Sequence, residues 1–393
     1  MPSLLIFESH PIQYRTPVYA RLAQLRPRAV HVCFASDFSV RGGNDPGFGT
    51  NVAWDSDLLA GYSFTVLRSD LTQAPTSWGA LDGRGVAALI NRLKPRAILL
   101  NSLNYRFDYI AYLSALVRGI PVWIRCETQD QAYSRSRLKS ALRSVYYRLI
   151  YKGIQLAFPI GQLNREHWLA HGFRPGQVRT SAHYCTVDRV SPLSELDRLS
   201  RRSLIRAQLG IAEHDLLVTF FGKFIPKKDP LLLFSCLPFL PASLRQQIKL
   251  LFVGSGTLQQ QLERAALIAK KNHQVESFFP GFINQSALVN WYLAADVVVL
   301  PSRQAGETWG LVANEALQAG CGVVVSEAVG CAADFGCWER FRTIPVGSAE
   351  GLANALQDLA TYPRQFNWAA DALNLYSIEA AAQALALAID DLH

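Results

Sequence analysis

Residues 301–320 read PSRQAGETWGLVANEALQAG and follow the apolar run Val297 to Leu300. That run is short and β-branched, as expected of a strand buried in a parallel sheet. Leu311 to Ala319 are mostly good helix formers, and Gly320 closes them as a C-cap. Glu307 therefore stands just before a helix and Glu315 within it. Their spacing of eight is a little over two turns, so both carboxylates lie near one face. The amides of Thr308, Trp309, Gly310 and Leu311 fall at the helix start, where free N–H groups form an anion site. One strand end thus offers a phosphate cradle flanked by two acids that can accept hydrogen bonds from sugar hydroxyls.

Outward from this stretch the chain alternates strand and helix. In the second half, strands are expected at Leu216 to Phe221, Lys249 to Val253, Val275 to Phe279, Val297 to Leu300, Gly322 to Val325 and Thr343 to Val346. In the first half they are expected at Leu4 to Phe7, Ala29 to Ser36, Phe64 to Leu67, Ala97 to Leu100, Val122 to Ile124 and Leu156 to Pro159. Thr16 reads as the cap of the first helix, residues 37–62 as a long surface loop, and Arg198 to Leu209 as a connecting helix. The class is α/β, with two Rossmann-like doubly wound parallel-sheet domains facing across a cleft. The boundary falls near 190, giving domains of 1–190 and 191–375.

The motif E-T-W-G-L-V-A-N-E-A-L-Q-A-G, with L-P-S before it and V-V-V-S after it, resembles the E-x7-E signature of glycosyltransferase family 4, a retaining GT-B group. The resemblance implies that Glu315 binds the donor's ribose and that Glu307 contacts the donor sugar beside its anomeric carbon. It also implies that a final helix, about 376–393, packs back on the first domain. After the first strand of the second domain, Phe221 to Asp229 read F-G-K-F-I-P-K-K-D. The family pattern there is G-R-x-x-x-x-K, which puts Gly222, Lys223 and Lys228 on the donor diphosphate. Lys223 in place of Arg keeps the charge and loses the bidentate fork. V-G-S-G, with Gly254, and the loop Gly281-Phe282-Ile283 match family positions near the nucleotide and its base. The donor is then a UDP- or GDP-sugar, and the diphosphate charge is met by lysines and amides, with no cofactor and no metal.

The first domain departs from the family. Glu127 stands where many members have a cleft histidine, and the usual G-G loop after strand one is missing. Glu127 or His10 is the candidate replacement, His10 lying in the first strand-to-helix loop. The run H-P-I-Q-Y, with Trp54-Asp55 and Gly61-Tyr62, resembles bacterial surface-polysaccharide glycosyltransferases, which implies a glycan or lipid-linked acceptor. Asp55-Ser56-Asp57 is formally D-x-D, a metal motif of another glycosyltransferase fold that this architecture does not need.

Residues 131–162 contain no acid, and Arg135, Arg137, Lys139, Arg143, Arg148 and Lys152 alternate with leucine and tyrosine. A basic amphipathic helix over 135–152 suits an anionic membrane surface; it could equally pack its apolar face on the sheet. The chain of 393 residues is half hydrophobic, which is ample for two cores. Its apolar runs fall short of the roughly 18 residues of a membrane span. Seven scattered cysteines without a C-x-x-C read as reduced cytosolic thiols, so the expected place is the cytoplasm, at the inner face of its membrane. A net charge of +8 calls for an anionic partner, and no nucleic-acid module is visible. Two rival readings are a sugar-nucleotide epimerase of related architecture and an inactive sugar-binding subunit.

Overall fold

The computed structural model describes residues 1–392 except 46–49, 53, 54, 56, 72, 181 and 182. The β-branched runs become strands. The first half contributes β1 (Leu4–Glu8), β2 (Val30–Ser36), a short antiparallel hairpin of β3 (Gly43–Asp45) and β4 (Thr50–Val52), then β5 (Ser63–Arg68), β6 (Ala97–Leu100), β7 (Val122–Ile124) and β8 (Leu156–Ala157). The second half contributes β9 (Leu216–Phe221), β10 (Ile248–Val253), β11 (Glu276–Gly281), β12 (Val297–Leu300), β13 (Gly322–Ser326) and β14 (Phe341–Ile344).

Two parallel six-stranded sheets result, ordered β5-β2-β1-β6-β7-β8 and β11-β10-β9-β12-β13-β14. Counted along each sheet's own strands, both run 3-2-1-4-5-6, the doubly wound order. Each reverses direction beside its first strand, between β1 and β6 and between β9 and β12. Loops leaving the carboxyl ends there diverge and open a crevice. The central strands are covered on both faces, and every residue of β1 and β12 is buried. The GT-B architecture expected from the sequence is therefore present.

The chain ends by returning to its beginning. Helix Ile378–Asp390, capped by Ser377 through the Ala380 amide at 3.1 Å, buries Ala381, Ala382, Leu385 and Ile389 among the residues of β1, β2 and helix Thr16–Leu25. Arg26 bonds Asp390 at 2.7 Å and Arg179 bonds Asp391 at 2.9 Å along the rim. Exposed pairs of this kind contribute little, so buried alanine and leucine surface holds the helix.

Several local expectations change. Residues 37–62 are not all loop, since they carry the β3–β4 hairpin. Thr16 is the first helical residue and not the cap; Arg15 precedes the helix and its side chain is engaged elsewhere. The last strand ends at Ile344, because Pro345 cannot extend a ladder. Ala370–Asp390 has the length and apolarity of a membrane span, contrary to the reading of the apolar runs. It is broken at Asn374–Tyr376 and Ser377, and its last segment is core.

Candidate functional site

A cleft of about 850 Å³ lies between the carboxyl ends of the two sheets. Of the residues expected at the donor and acceptor site, all but Gly281 line it, whereas Asp55 and the cations of 135–152 do not. The loop after β9 supplies Gly222, Lys223 and Lys228, and the loop after β12 supplies Glu307 to Gly310. Both leave the switch point of the second sheet.

Helix Leu311–Gln318 starts abruptly. Gly310, at its N-cap, has φ +96°, and a Cβ there would stand 2.6 Å from Val329 and 2.8 Å from Leu300. Only glycine fits, and the helix start is drawn down onto the sheet with its first amides at the cleft. The Trp309 indole takes no part in the cradle. It is buried, donates to Asn314 Oδ1 at 2.8 Å and packs edge-on against Phe335, so its contribution is backbone. The turns after β9 and β10 are equally close. A Cβ on Gly254 would fall 2.0 Å from the Gly222 carbonyl oxygen, which explains a glycine in V-G-S-G without a ligand.

The two acids differ in setting. Glu307 accepts from Lys228 Nζ in a short ion pair, and from Ser302 Oγ at 3.2 Å. Glu315 accepts from Tyr292 at 2.7 Å, and the Tyr292 ring stacks on Phe221 at 3.9 Å. Burial raises the Glu315 carboxyl above the usual range. Tyr292 thus aims Glu315, while Lys228 holds Glu307 beside the anion cradle.

Across the cleft, Glu127 extends from the end of β7. It accepts from Arg15 at 2.6 Å, Tyr14 at 3.1 Å, Tyr184, and Thr308 Oγ1 of the facing domain at 3.2 Å. Burial would raise its pKa, but Arg15 and these hydrogen bonds outweigh burial and hold it below the usual range. Arg15 also reaches Glu8 at 3.0 Å, and Tyr19 donates to the same carboxylate. Glu8 is 2% exposed, and burial lifts its pKa despite Arg15. One buried guanidinium therefore joins a buried acid to a cleft acid.

Arg15, Tyr184, Tyr292 and Glu8 are not among the residues expected from the sequence. An acid directly after Leu4-Leu-Ile-Phe7, with an arginine seven residues on, was the available signal. His10 lines the cleft with Ser9 Oγ 2.9 Å from Nδ1 and its ring on Phe38 at 4.6 Å. Burial, then Arg15, pushes its pKa down to about 4, so it is neutral at pH 7.

Asp55 accepts from the Ser286 amide at 3.0 Å and Asp57 from the Leu59 amide at 3.0 Å. Each carboxylate of the D-x-D thus accepts a backbone hydrogen bond on one oxygen, and Asp57 lines the cleft. Trp54 and Ser56 lie outside the described residues.

A second seam joins the halves behind the cleft. Gly306 donates to the Ala132 carbonyl at 2.9 Å, and Gln129 donates to the Thr308 carbonyl at 3.3 Å. Asp334 accepts from the Gln162 amide at 3.0 Å and from Tyr376 at 3.1 Å.

Comparison with known proteins bears on the family and the fold. Residues 201–367 match the family described as glycosyl transferases group 1. An uncharacterized glycosyltransferase of Methanocaldococcus jannaschii is 34% identical over 125 residues, 32% of this chain and 30% of the relative. The lipopolysaccharide 1,2-N-acetylglucosaminetransferase of Salmonella typhimurium is 34% identical over 131 residues, 32% of this chain and 34% of the relative. The chain spans about a third of the length of these curated relatives. The fold matches over the whole chain. Anabaena HepE, solved with UDP and glucose, superposes with TM-score 0.66 at 16% identity, covering 100% of both chains. Sucrose-phosphate synthase of Thermosynechococcus elongatus gives 0.68 at 20% identity, covering 100% of this chain and 99% of that one. Residues 201–367, most of the second half, thus carry the group 1 glycosyltransferase domain, which resembles family 4, and the chain as a whole has the GT-B fold.

Proposed function

We propose that the chain transfers a hexosyl sugar, with retention, from a UDP- or GDP-sugar to a hydroxyl of a glycan or lipid-linked acceptor. One observation carries this reading. The first amides of helix Leu311–Gln318, Lys223, Lys228, Glu307 and Glu315 all line one cleft between the sheets. Its volume suits a small ligand of this class. Further support comes from the HepE structure, which holds UDP and glucose in the same fold.

In this reading the diphosphate rests on the helix amides and the two lysines, which neutralise it as the glycosidic bond breaks. Glu315, aimed by Tyr292, takes the ribose hydroxyls. Glu307 lies beside the anomeric carbon and favours positive charge there. The acceptor hydroxyl attacks from the face the phosphate leaves, and the departing phosphate oxygen takes its proton, so no carboxylate nucleophile is needed. Glu127, ionised and fixed by Arg15, and neutral His10 offer contacts to the sugar and the acceptor.

The basic helix supplies a reason to expect a membrane-borne acceptor. Arg137–Ile150 has no buried residue, and Leu138, Leu142, Val145 and Leu149 are each more than half exposed. Tyr147 and Ile150 pack on the core beneath, and the stripe of Leu138, Leu142, Val145 and Leu149 is left outside it. An apolar stripe edged with cations fits an anionic bilayer, the inner face of the cytoplasmic membrane in this reading.

The test is a panel of nucleotide sugars read by thermal shift, followed by turnover. A ligand at a hundred times its Kd stabilises by about 2.7 kcal/mol. The donor so found should release nucleoside diphosphate only with an acceptor, and NMR should show the product keeping the donor's anomeric configuration. Conversion of the donor alone into another nucleotide sugar would establish the epimerase reading instead. Donor binding without turnover on any glycan or lipid-linked acceptor would favour the sugar-binding subunit.

A further inference from the structure

Behind the cleft wall, three ligand-bearing side chains converge without a role in the site above. His167 and His171 stand one turn apart, on helix Gln162–Ala170 and at its C-terminal end. The loop after β7 brings Asp130 onto both. Asp130 Oδ2 lies 3.0 Å from His167 Nδ1 and 3.1 Å from His171 Nε2, and the three atoms all fall within 4.8 Å of one another. Bonds of about 2.0–2.1 Å to a tetrahedral ion would put neighbouring ligand atoms roughly 3.3–3.4 Å apart. Opening the two Asp130 contacts by a few tenths of an ångström, with the two ring nitrogens, now within 4.8 Å, brought to the same spacing, would admit one.

The far nitrogens are also provided for. His167 Nε2 is 2.9 Å from Tyr151 Oη, and His171 Nδ1 is 3.2 Å from Ser144 Oγ. A hydroxyl can donate or accept. Without an ion, each imidazole donates to Asp130 and receives a hydroxyl hydrogen on its other side. With an ion, each ring stays neutral, its proton sits on the far nitrogen, and the hydroxyl accepts it. Both states leave both rings fully bonded, which is the outer-shell support that metal-bound histidines require. The His167 side chain is wholly buried and fixed, whereas that of Asp130 is 46% exposed, leaving the fourth position open to water. The nearby cations are engaged with carbonyls, Arg135 with those of Asp130 and Tyr133 and Arg143 with that of Gln129.

We propose that Asp130, His167 and His171 form a binding site for a divalent transition metal ion, with Zn²⁺ the ion best matched to two imidazoles and one carboxylate in this arrangement. The ion fastens residues 127–133, the segment that carries Glu127 into the cleft and meets Gly306 and Thr308 across the seam, to helix Gln162–Ala170. It touches no donor atom, and the proposal does not rest on the transfer reading.

The test uses full-length protein stripped by a chelator and titrated with Co²⁺, then with Zn²⁺. One equivalent of Co²⁺ should develop visible bands of low coordination number, and Zn²⁺ should displace it and raise the Tm. Asp130→Asn keeps an oxygen that can accept from both imidazoles, and so keeps the fold. Losing a ligand should cost at least the roughly hundredfold affinity loss seen for strong outer-shell changes, and His171→Gln should behave alike. Folded wild-type protein that takes up no Co²⁺, or an Asp130→Asn variant that binds it as tightly as wild type, would overturn the site.

Discussion

At the scale of single residues, the two motif acids are set to do different work. Glu315 is held by Tyr292 toward the end of the cleft assigned to the nucleoside, where contacts are alike in ground and transition states. Glu315→Ala should therefore mainly raise the donor KM. In the proposed reading Glu307 lies beside the bond that breaks, so Glu307→Ala should mainly lower kcat. Steady-state kinetics on the two variants checks this, and the opposite pattern would reverse the roles. Arg15 makes a separate claim on stability. Removing one partner of a buried ion pair typically costs about 3–5 kcal/mol. Arg15→Met strands Glu8, so denaturant unfolding at pH 7 should show a loss of that order. Because burial already lifts the Glu8 pKa, acidification should relieve the loss as Glu8 takes a proton. A variant as stable as wild type at pH 7 would show that the pair is not needed.

Among the elements, the basic helix makes the sharpest prediction. Each cation near an anionic bilayer contributes about 1 kcal/mol. Reversing Arg137, Lys139 and Arg143 to glutamate should abolish flotation with anionic liposomes and leave donor binding intact. Wild-type flotation should weaken with salt, since the Debye length is about 8 Å at physiological ionic strength. Wild-type protein that fails to float at low salt would reduce the helix to a solvated surface. The elements also show what could be read from sequence. Val297 to Leu300 and Leu216 to Phe221 declared themselves because buried parallel strands are continuous apolar runs. The loops after them were legible as cleft loops because the crevice of an open parallel sheet lies at the carboxyl ends of its strands. Local pattern does not encode pairing across the fold. Arg15 meets Glu127 from 112 residues away, and Tyr184 joins them from a third loop. Residues 37–62 hid a hairpin because its three-residue strands are too short to show alternation.

Over the whole molecule, the seam behind the cleft should respond to pH. Burial raises Asp334 to about 6, against the bonds from Gln162 and Tyr376. A folded pKa above the unfolded one gives stability that is full below about pH 4 and lost as pH rises through about 6. Asp334→Asn stands in for the protonated acid. Its Tm relative to wild type should therefore climb between pH 4 and 7 and level off above. A flat difference would mean that Asp334 ionises in the fold without penalty.

The central claim is that the start of helix Leu311–Gln318, with Lys223 and Lys228, forms a diphosphate site. Calorimetry of UDP, GDP and the free nucleosides on wild type and Lys228→Ala tests it most directly. A hydrogen bond to a charged group is worth about 1.5–3 kcal/mol. One of the two nucleoside diphosphates should bind wild type and lose that much in the variant, while its nucleoside is almost unaffected. Equal losses for diphosphate and nucleoside, or no binding of either diphosphate to wild type, would contradict the account.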